Sequence, residues 1–105
     1  MDLRRYDEAI AARKRAMDIR RQIFGDVGGL LSIDASGLAR MYARKGDYVM
    51  ADSLFAVALT NLRRLVPERH HDVRDIYGFM SERYQLEGKR READRYAELS
   101  RPRVR

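Results

Sequence analysis

The sequence predicts an all-α fold, a solenoid of stacked helical hairpins. The first reason is an internal repeat, because a shift of 42 residues aligns identical residues: Tyr6 with Tyr48, Ala9 with Ala51, Ala16 with Ala58, Tyr42 with Tyr84, Gly46 with Gly88 and Ala51 with Ala93. The second reason is that apolar residues recur at steps of three and four, the spacing of one helix face. Each repeat then holds two amphipathic helices, which bury their apolar faces by stacking on neighbouring repeats.

The first predicted helix covers residues 5–24 and corresponds only to the second helix of a repeat. The chain therefore holds about two and a half repeats. The apolar face of this helix is interrupted by Arg13 and Arg20, which stand where the next repeat has Phe55 and Leu62. We expect this end of the array to have lost apolar packing.

The other predicted helices follow from their end signals. Ser32, Asp47 and Asp72 are the expected N-caps, because short oxygen-bearing side chains accept hydrogen bonds from the first turn of a helix. Gly46 and Gly88 are the expected left-handed residues at helix ends. These signals place helices at 31–45, 47–65, 72–87 and 90–99, a second repeat at 31–65, a third at 72–99 and a basic C-terminal tail at 100–105.

The repeated residues resemble the tetratricopeptide pattern, in which a small residue precedes a Tyr in the first helix and two alanines lie a heptad apart in the second. The matching segments are Leu38-Ala39, Tyr42, Gly46-Asp47-Tyr48, Ala51, Phe55 and Ala58-Leu59. A standard repeat of this family has roughly 34 residues. The longer period resembles the kinesin-light-chain subtype, whose inter-repeat turn is similar to residues 68–73 here. The resemblance implies one repeat domain over residues 1–99.

The resemblance also implies a protein-protein interaction scaffold, which binds a peptide or protein segment on the concave face formed mainly by the first helices. The residues predicted on that face are Ile33, Ser36, Arg40, Arg44, Asp75, Glu82 and Gln85. Because a guanidinium can bind a carboxylate in bidentate fashion, Arg40 and Arg44, one helical turn apart, favour a partner of acidic character. A merely solvated face is the alternative interpretation of these charges.

Two peptide-holding devices of related proteins have no match in this chain. Kinesin-light-chain-like repeats commonly carry an Asn pair whose amides hold a peptide backbone, and here Ser36-Gly37 and Gly78-Phe79 occupy those places. The Lys/Asn/Arg clamp for a C-terminal carboxylate is also missing.

Gly37 lies inside a predicted helix and weakens that helix by about 1 kcal/mol relative to alanine.

A self-assembling structural module is the alternative function. Both ends of the array are expected to expose apolar surface, the first through Tyr6, Ile10, Met17 and Ile23 and the last because no cap follows it. A symmetric homodimer would cover such an end. Arg13 and Arg20 on the first helix favour a solvated face instead.

The short array further resembles the C-terminal part of a larger bacterial regulatory protein.

Nucleic acid is a weaker alternative partner. The net charge of +6 and the isoelectric point near 10.1 favour it, and the first helix carries a cluster of basic residues: Arg4, Arg5, Arg13, Lys14, Arg15, Arg20 and Arg21. However, acidic residues are interspersed throughout. The sequence contains no helix-turn-helix, zinc-finger or aromatic RNA-binding signature.

Catalysis, cofactors and metal ions are not predicted. His70 and His71 are the only histidines, and neighbouring residues in a turn seldom direct both rings at one ion, whereas a zinc site needs three or four ligands. Residues 25–29 are rich in glycine but lack the Lys-Ser/Thr of a phosphate loop. No apolar run reaches the roughly 20 residues that span a membrane. With no signal-peptide core at the N-terminus, the predicted location is cytoplasmic, without a membrane partner.

Overall fold

The computed structural model describes residues 3–25 and 29–102, and the regular structure within these ranges is α-helical. The five helices of these ranges are α1 (Leu3–Phe24), α2 (Leu30–Lys45), α3 (Tyr48–Arg63), α4 (His71–Glu87) and α5 (Arg90–Ser100). Short turns join α2 to α3 and α4 to α5, and each pair packs extensively as a helical hairpin. α1 packs on α2, whereas α4 packs on both α2 and α3. The predicted all-α helical repeat fold is confirmed.

Glycine ends the first helix of each hairpin, as the sequence predicts. Gly46 has a φ of 94° and Gly88 a φ of 82°, in the left-handed region that strains residues with a Cβ atom. The amide of Gly46 donates to the carbonyl of Ala43 at 3.0 Å, and the amide of Asp47 donates to that of Tyr42 at 2.9 Å. These bonds satisfy carbonyl groups that the end of α2 would otherwise leave free.

Two of the three predicted N-caps are wrong. Asp47 is confirmed, since its side chain accepts a hydrogen bond from the amide of Met50 at 3.1 Å. Ser32 lies inside α2, which begins earlier than predicted. Asp72 lies inside α4, and His70 caps that helix by accepting the Asp72 amide at Nδ1, over 3.1 Å.

Ser32 has a tertiary role that explains the wrong prediction. Its buried hydroxyl lies 3.0 Å from the carbonyl oxygen of Ala58 and 2.7 Å from Oδ1 of Asn61, both on α3. A serine that bonds to the neighbouring helix joins the two helices of a hairpin instead of capping its own helix.

The other helix ends lie within one or two residues of the predicted positions. Ser100 ends α5, so the predicted tail begins one residue later, and residues 103–105 lie outside the described ranges. None of the helices in the described part of the chain is long and apolar enough to cross a bilayer.

The apolar core lies mainly between α2, α3 and α4. Phe55 and Val73 are its largest fully buried side chains, and Ala51 and Ala58 are buried completely. Alanine at these two positions allows the backbones of neighbouring helices to approach closely. Among the described residues of α1, only Ile10 is buried.

Charges contribute to the contact between α1 and α2. Arg20 forms an ion pair with the buried Asp34, and Lys45 Nζ lies 2.5 Å from Oδ1 of Asp7. Arg20 stands at the repeat position of Leu62, so an ion pair has replaced an apolar contact there.

The apolar surface expected at the first end is only partly present. Ile10 is buried and Met17 packs against the core, which contradicts their predicted exposure, whereas Ile23 is exposed. Ile19 and Phe24 on the same helix are also exposed. The exposed apolar surface of α1 therefore lies mainly toward its C-terminal end.

Candidate functional site

An open groove of about 290 Å³ lies between α1, α2 and α4. It is formed by the first helices of the two hairpins, with one wall completed by α1. Four of the seven residues predicted for the partner surface line it, namely Ile33, Ser36, Arg40 and Asp75. The other three, Arg44, Glu82 and Gln85, lie outside its lining.

The apolar part of the groove combines Ile33 of α2 with Ile76 and Phe79 of α4. Ile76 is buried and Phe79 partly buried, but Ile33 is 63% exposed. An exposed aliphatic side chain beside a concave apolar surface is suited to covering an apolar residue of a ligand.

The polar groups of Ser36 and Gln85 contribute less than the sequence predicts. Ser36 is buried, and its hydroxyl donates to the carbonyl of Ile33 at 3.1 Å. Gln85 is exposed, with Nε2 3.5 Å from Oγ of Ser81. Ser36 therefore uses its hydroxyl proton within α2, and only its oxygen remains as an acceptor.

Arg40 and Arg44 both lie close to Glu82. Nη2 of Arg44 is 3.2 Å from Oε1 of Glu82, and Nη2 of Arg40 is 3.7 Å from Oε2. The guanidinium carbon of Arg40 also lies 4.3 Å from the ring centroid of Phe79, a cation-π distance. The two arginines share this one carboxylate, and Glu82 neutralises part of their charge, so a ligand anion would compete with it.

Arg13 reaches the groove from α1 and was not among the predicted site residues. It is half-buried, and its Nη2 lies only 2.6 Å from the point where a Cβ atom on residue 37 would stand. The missing side chain of Gly37 therefore makes room for this guanidinium. Among the residues that the structure describes, no hydrogen bond or ion pair engages Arg13.

The sequence did contain a signal for this arrangement. Arg13 occupies the repeat position of Phe55, and Gly37 interrupts a helix, so each residue departs from the expected pattern. The two departures compensate each other in space, because a long side chain packs where a small residue leaves a gap.

Acidic side chains line another part of the groove. Asp72 lies 3.0 Å from Nε2 of His71, whereas Asp75 is exposed and has no ion-pair partner within the described ranges. The groove thus carries both charge signs on different walls, with Arg13 and Arg40 opposed to the two aspartates.

His70, His71 and Asp72 form a cluster whose ligating atoms lie within 4.8 Å of one another. Nδ1 of His70 accepts the Asp72 amide as the cap of α4, and the two imidazole rings stack with centroids 4.3 Å apart. Three consecutive residues at a helix start offer fewer ligands than the four of a structural zinc site. The geometry accounts for His70 as a helix cap.

Three of the seven residues in the predicted basic cluster of α1 have different surroundings. Arg20 pairs with Asp34, Lys14 Nζ lies 5.6 Å from the ring centroid of Tyr42, and Arg13 points into the groove. Arg20 and Lys14 thus contact other residues of the chain and Arg13 lines the groove, so these three side chains do not form one basic surface.

A family model described as "Tetratricopeptide repeat" matches residues 1–64, more than half of the chain. This match contains α1, α2 and α3, including the groove residues on α1 and α2. Comparisons with curated proteins and with solved structures gave no match. The matching model and the stacked helical hairpins together show that the chain belongs to the tetratricopeptide repeat family.

Proposed function

We propose that this chain is a protein-interaction module that binds a peptide segment in the groove between α1, α2 and α4. Tetratricopeptide repeats generally mediate protein-protein interaction and are typically non-catalytic scaffolds. The observation that carries the proposal is the exposed Ile33 beside a concave surface that also contains Arg13 and Asp75, both without partners in the described part of the chain. Such a surface provides one apolar contact and two charged contacts for a ligand.

The proposed partner surface consists of the seven residues predicted from the sequence, which fall into two groups. Ile33, Ser36, Arg40 and Asp75 form the groove itself, whereas Arg44, Glu82 and Gln85 would contact the ligand only where it extends beyond the groove. An extended peptide suits this arrangement better than a compact small molecule, because Ile33, Arg40 and Arg44 follow one another along α2 and only the first two line the groove.

The experiment is selection of a random peptide library, displayed on phage, against the purified chain. Synthesised versions of the selected peptides should bind wild type, and Ile33→Asp should weaken them about tenfold or more by placing a charge at the apolar contact. Val49→Asp is the matched control, since Val49 is 81% exposed on α3 and lies outside the groove. Equal binding to wild type and Ile33→Asp would contradict the proposal.

Self-association is a second candidate function, favoured by the exposed apolar residues of α1. Ile19 and Ile23 lie one helical turn apart and are both exposed, as is Phe24. A two-fold contact between like α1 surfaces would bury these residues in two copies and close on itself.

We also propose the longer-repeat, kinesin-light-chain-like subtype for this array. Gly46 and Gly88 are separated by one period of 42 residues and share the left-handed conformation. The first helices of the two hairpins, α2 and α4, have 16 and 17 residues. Helices of this length account for a period longer than the roughly 34 residues of the standard repeat.

A further inference from the structure

We propose that Arg13 binds a carboxylate of the ligand, so that the groove selects peptides with an acidic residue next to an apolar one. This inference rests on the proposed peptide-binding function. Its starting point is the state of Arg13, a half-buried guanidinium that lines the groove and has no hydrogen bond or ion pair among the described residues.

Three other arginines of α1 and α2 have anionic neighbours. Arg20 pairs with Asp34, and Arg40 and Arg44 share Glu82. A ligand carboxylate at Arg13 therefore displaces no partner within residues 3–25 and 29–102, whereas at Arg40 or Arg44 it would compete with Glu82. A guanidinium removed in part from water gains from a charge-assisted hydrogen bond.

The position of Arg13 depends on Gly37. A Cβ atom on residue 37 would lie 2.6 Å from Nη2 and 2.8 Å from Cζ of Arg13. The clash involves the far end of a flexible side chain, so Gly37→Ala would move the guanidinium without forcing the backbone of α2 to shift. Gly37 thereby holds open the site that Arg13 occupies.

The chemistry of the surrounding groove favours a single carboxylate over a polyanion. Asp72 and Asp75 line the same groove and would repel the successive phosphates of a nucleic acid. Ile33 and Phe79 line the same groove as Arg13 and would cover an apolar side chain. An acidic residue adjacent to an apolar residue satisfies both parts of the site.

The test uses the peptide selection described above, carried out in parallel on wild type and Arg13→Gln. We expect an Asp or Glu beside an apolar residue in peptides selected on wild type, and loss of this acidic preference on Arg13→Gln. For one selected peptide and its carboxamide analogue (Glu→Gln or Asp→Asn), calorimetry should show about a tenfold preference for the acid with wild type and nearly none with Arg13→Gln.

Two further variants separate charge from position. Gly37→Ala keeps Arg13 but displaces it, so the acidic preference should fall while the helical circular dichroism signal stays unchanged. Arg13→Lys should restore part of the preference, because it keeps the charge but loses the bidentate geometry.

The outcomes also separate this inference from the proposed function. An acidic preference that persists in Arg13→Gln and disappears in Arg44→Gln would overturn the role of Arg13 and leave groove binding intact. Peptides that bind Ile33→Asp with the same affinity as wild type would refute groove binding itself.

Discussion

Arg83 of α4 forms a bidentate ion pair with Asp52 of α3, with Nε 2.6 Å from Oδ1 and Nη2 2.8 Å from Oδ2. Arg83 is only 5% exposed, and it also donates to Glu87 at 2.6 Å and lies over the ring of Tyr84. Burial disfavours its charge, but the hydrogen bonds to the two carboxylates outweigh burial and raise the pKa of Arg83 above its ordinary value. The pair joins one repeat to the next.

Asp52→Asn should lower the free energy of unfolding by about 1–2 kcal/mol, because it leaves part of the buried Arg83 charge uncompensated. Urea denaturation followed by circular dichroism would measure this. Asp94→Asn is a matched control, since the Arg90–Asp94 pair spans 3.9 Å between strongly exposed side chains and should contribute little. Equal effects of the two substitutions would show that the Arg83 pair does not stabilise the packing of α3 on α4.

The stability of the fold should depend on the ionisation of Glu87. The hydrogen bond from Arg83 lowers the pKa of Glu87 below its ordinary value of 4.5. A lowered pKa in the folded state stabilises the protein above the unfolded-state pKa, and this contribution is lost as the pH falls through the folded-state value. The melting temperatures of wild type and Glu87→Gln should therefore differ most near neutral pH and converge below pH 4.5. A constant difference across that range would contradict this.

Close packing of α3 should make it sensitive to side-chain volume. Ala58 is fully buried, so Ala58→Leu should overpack the helix crossing and cost about 1–3 kcal/mol. Leu62 is buried as well, and Leu62→Ala should leave a cavity that costs about 2–5 kcal/mol. The neighbouring Val57 is exposed, so Val57→Ala should change the unfolding free energy by less than about 0.5 kcal/mol in the same urea titration.

Glu82→Gln should strengthen the binding of acidic peptides selected on wild type. Removing this carboxylate frees Arg40 and Arg44 from their shared partner, and an increase of roughly threefold corresponds to the strength of an exposed ion pair. Isothermal titration calorimetry would measure it. The neutral Glu82→Gln substitution is preferable to the double variant Arg40→Glu with Arg44→Glu, because reversing the two arginine charges would also place new carboxylates beside Glu82. Weaker binding by Glu82→Gln would mean that Glu82 itself contacts the ligand.

Self-association through α1 should appear in sedimentation equilibrium. We expect an average mass above that of one 12.3 kDa chain in the micromolar range. Replacing Ile19 and Ile23 together by Gln should return the mass to that of a single chain, because both side chains are exposed on one stretch of α1. A wild-type mass of 12.3 kDa throughout the range would refute the dimer.

The sequence by itself predicts the helical repeat fold and most helix ends, because these depend on interactions within a few residues. Gly46 and Gly88 end their helices through their own left-handed backbone conformation, and Asp47 caps α3 by bonding to an amide three residues away. The spacing of apolar residues likewise predicts the buried face that contains Phe55.

The tertiary structure decided what each polar side chain contacts. Ser32 looks like an N-cap in the sequence but bonds across to α3, since its position inside α2 brings it beside Asn61.

Part of the groove, by contrast, could be predicted from the sequence. Helical spacing places Ile33, Arg40 and Asp75 on one face, and these residues do line the groove.

Whether a carboxylate neutralises an arginine of α1 or α2 depends on residues far away in the chain. Arg20 meets Asp34, and Arg44 meets Glu82, over separations of 14 and 38 residues. Arg13 instead packs against Gly37, which offers no side chain at all. A local pattern cannot distinguish these three arginines, because ion pairing requires two groups within a few ångströms, and only the packing of α1, α2 and α4 sets those distances.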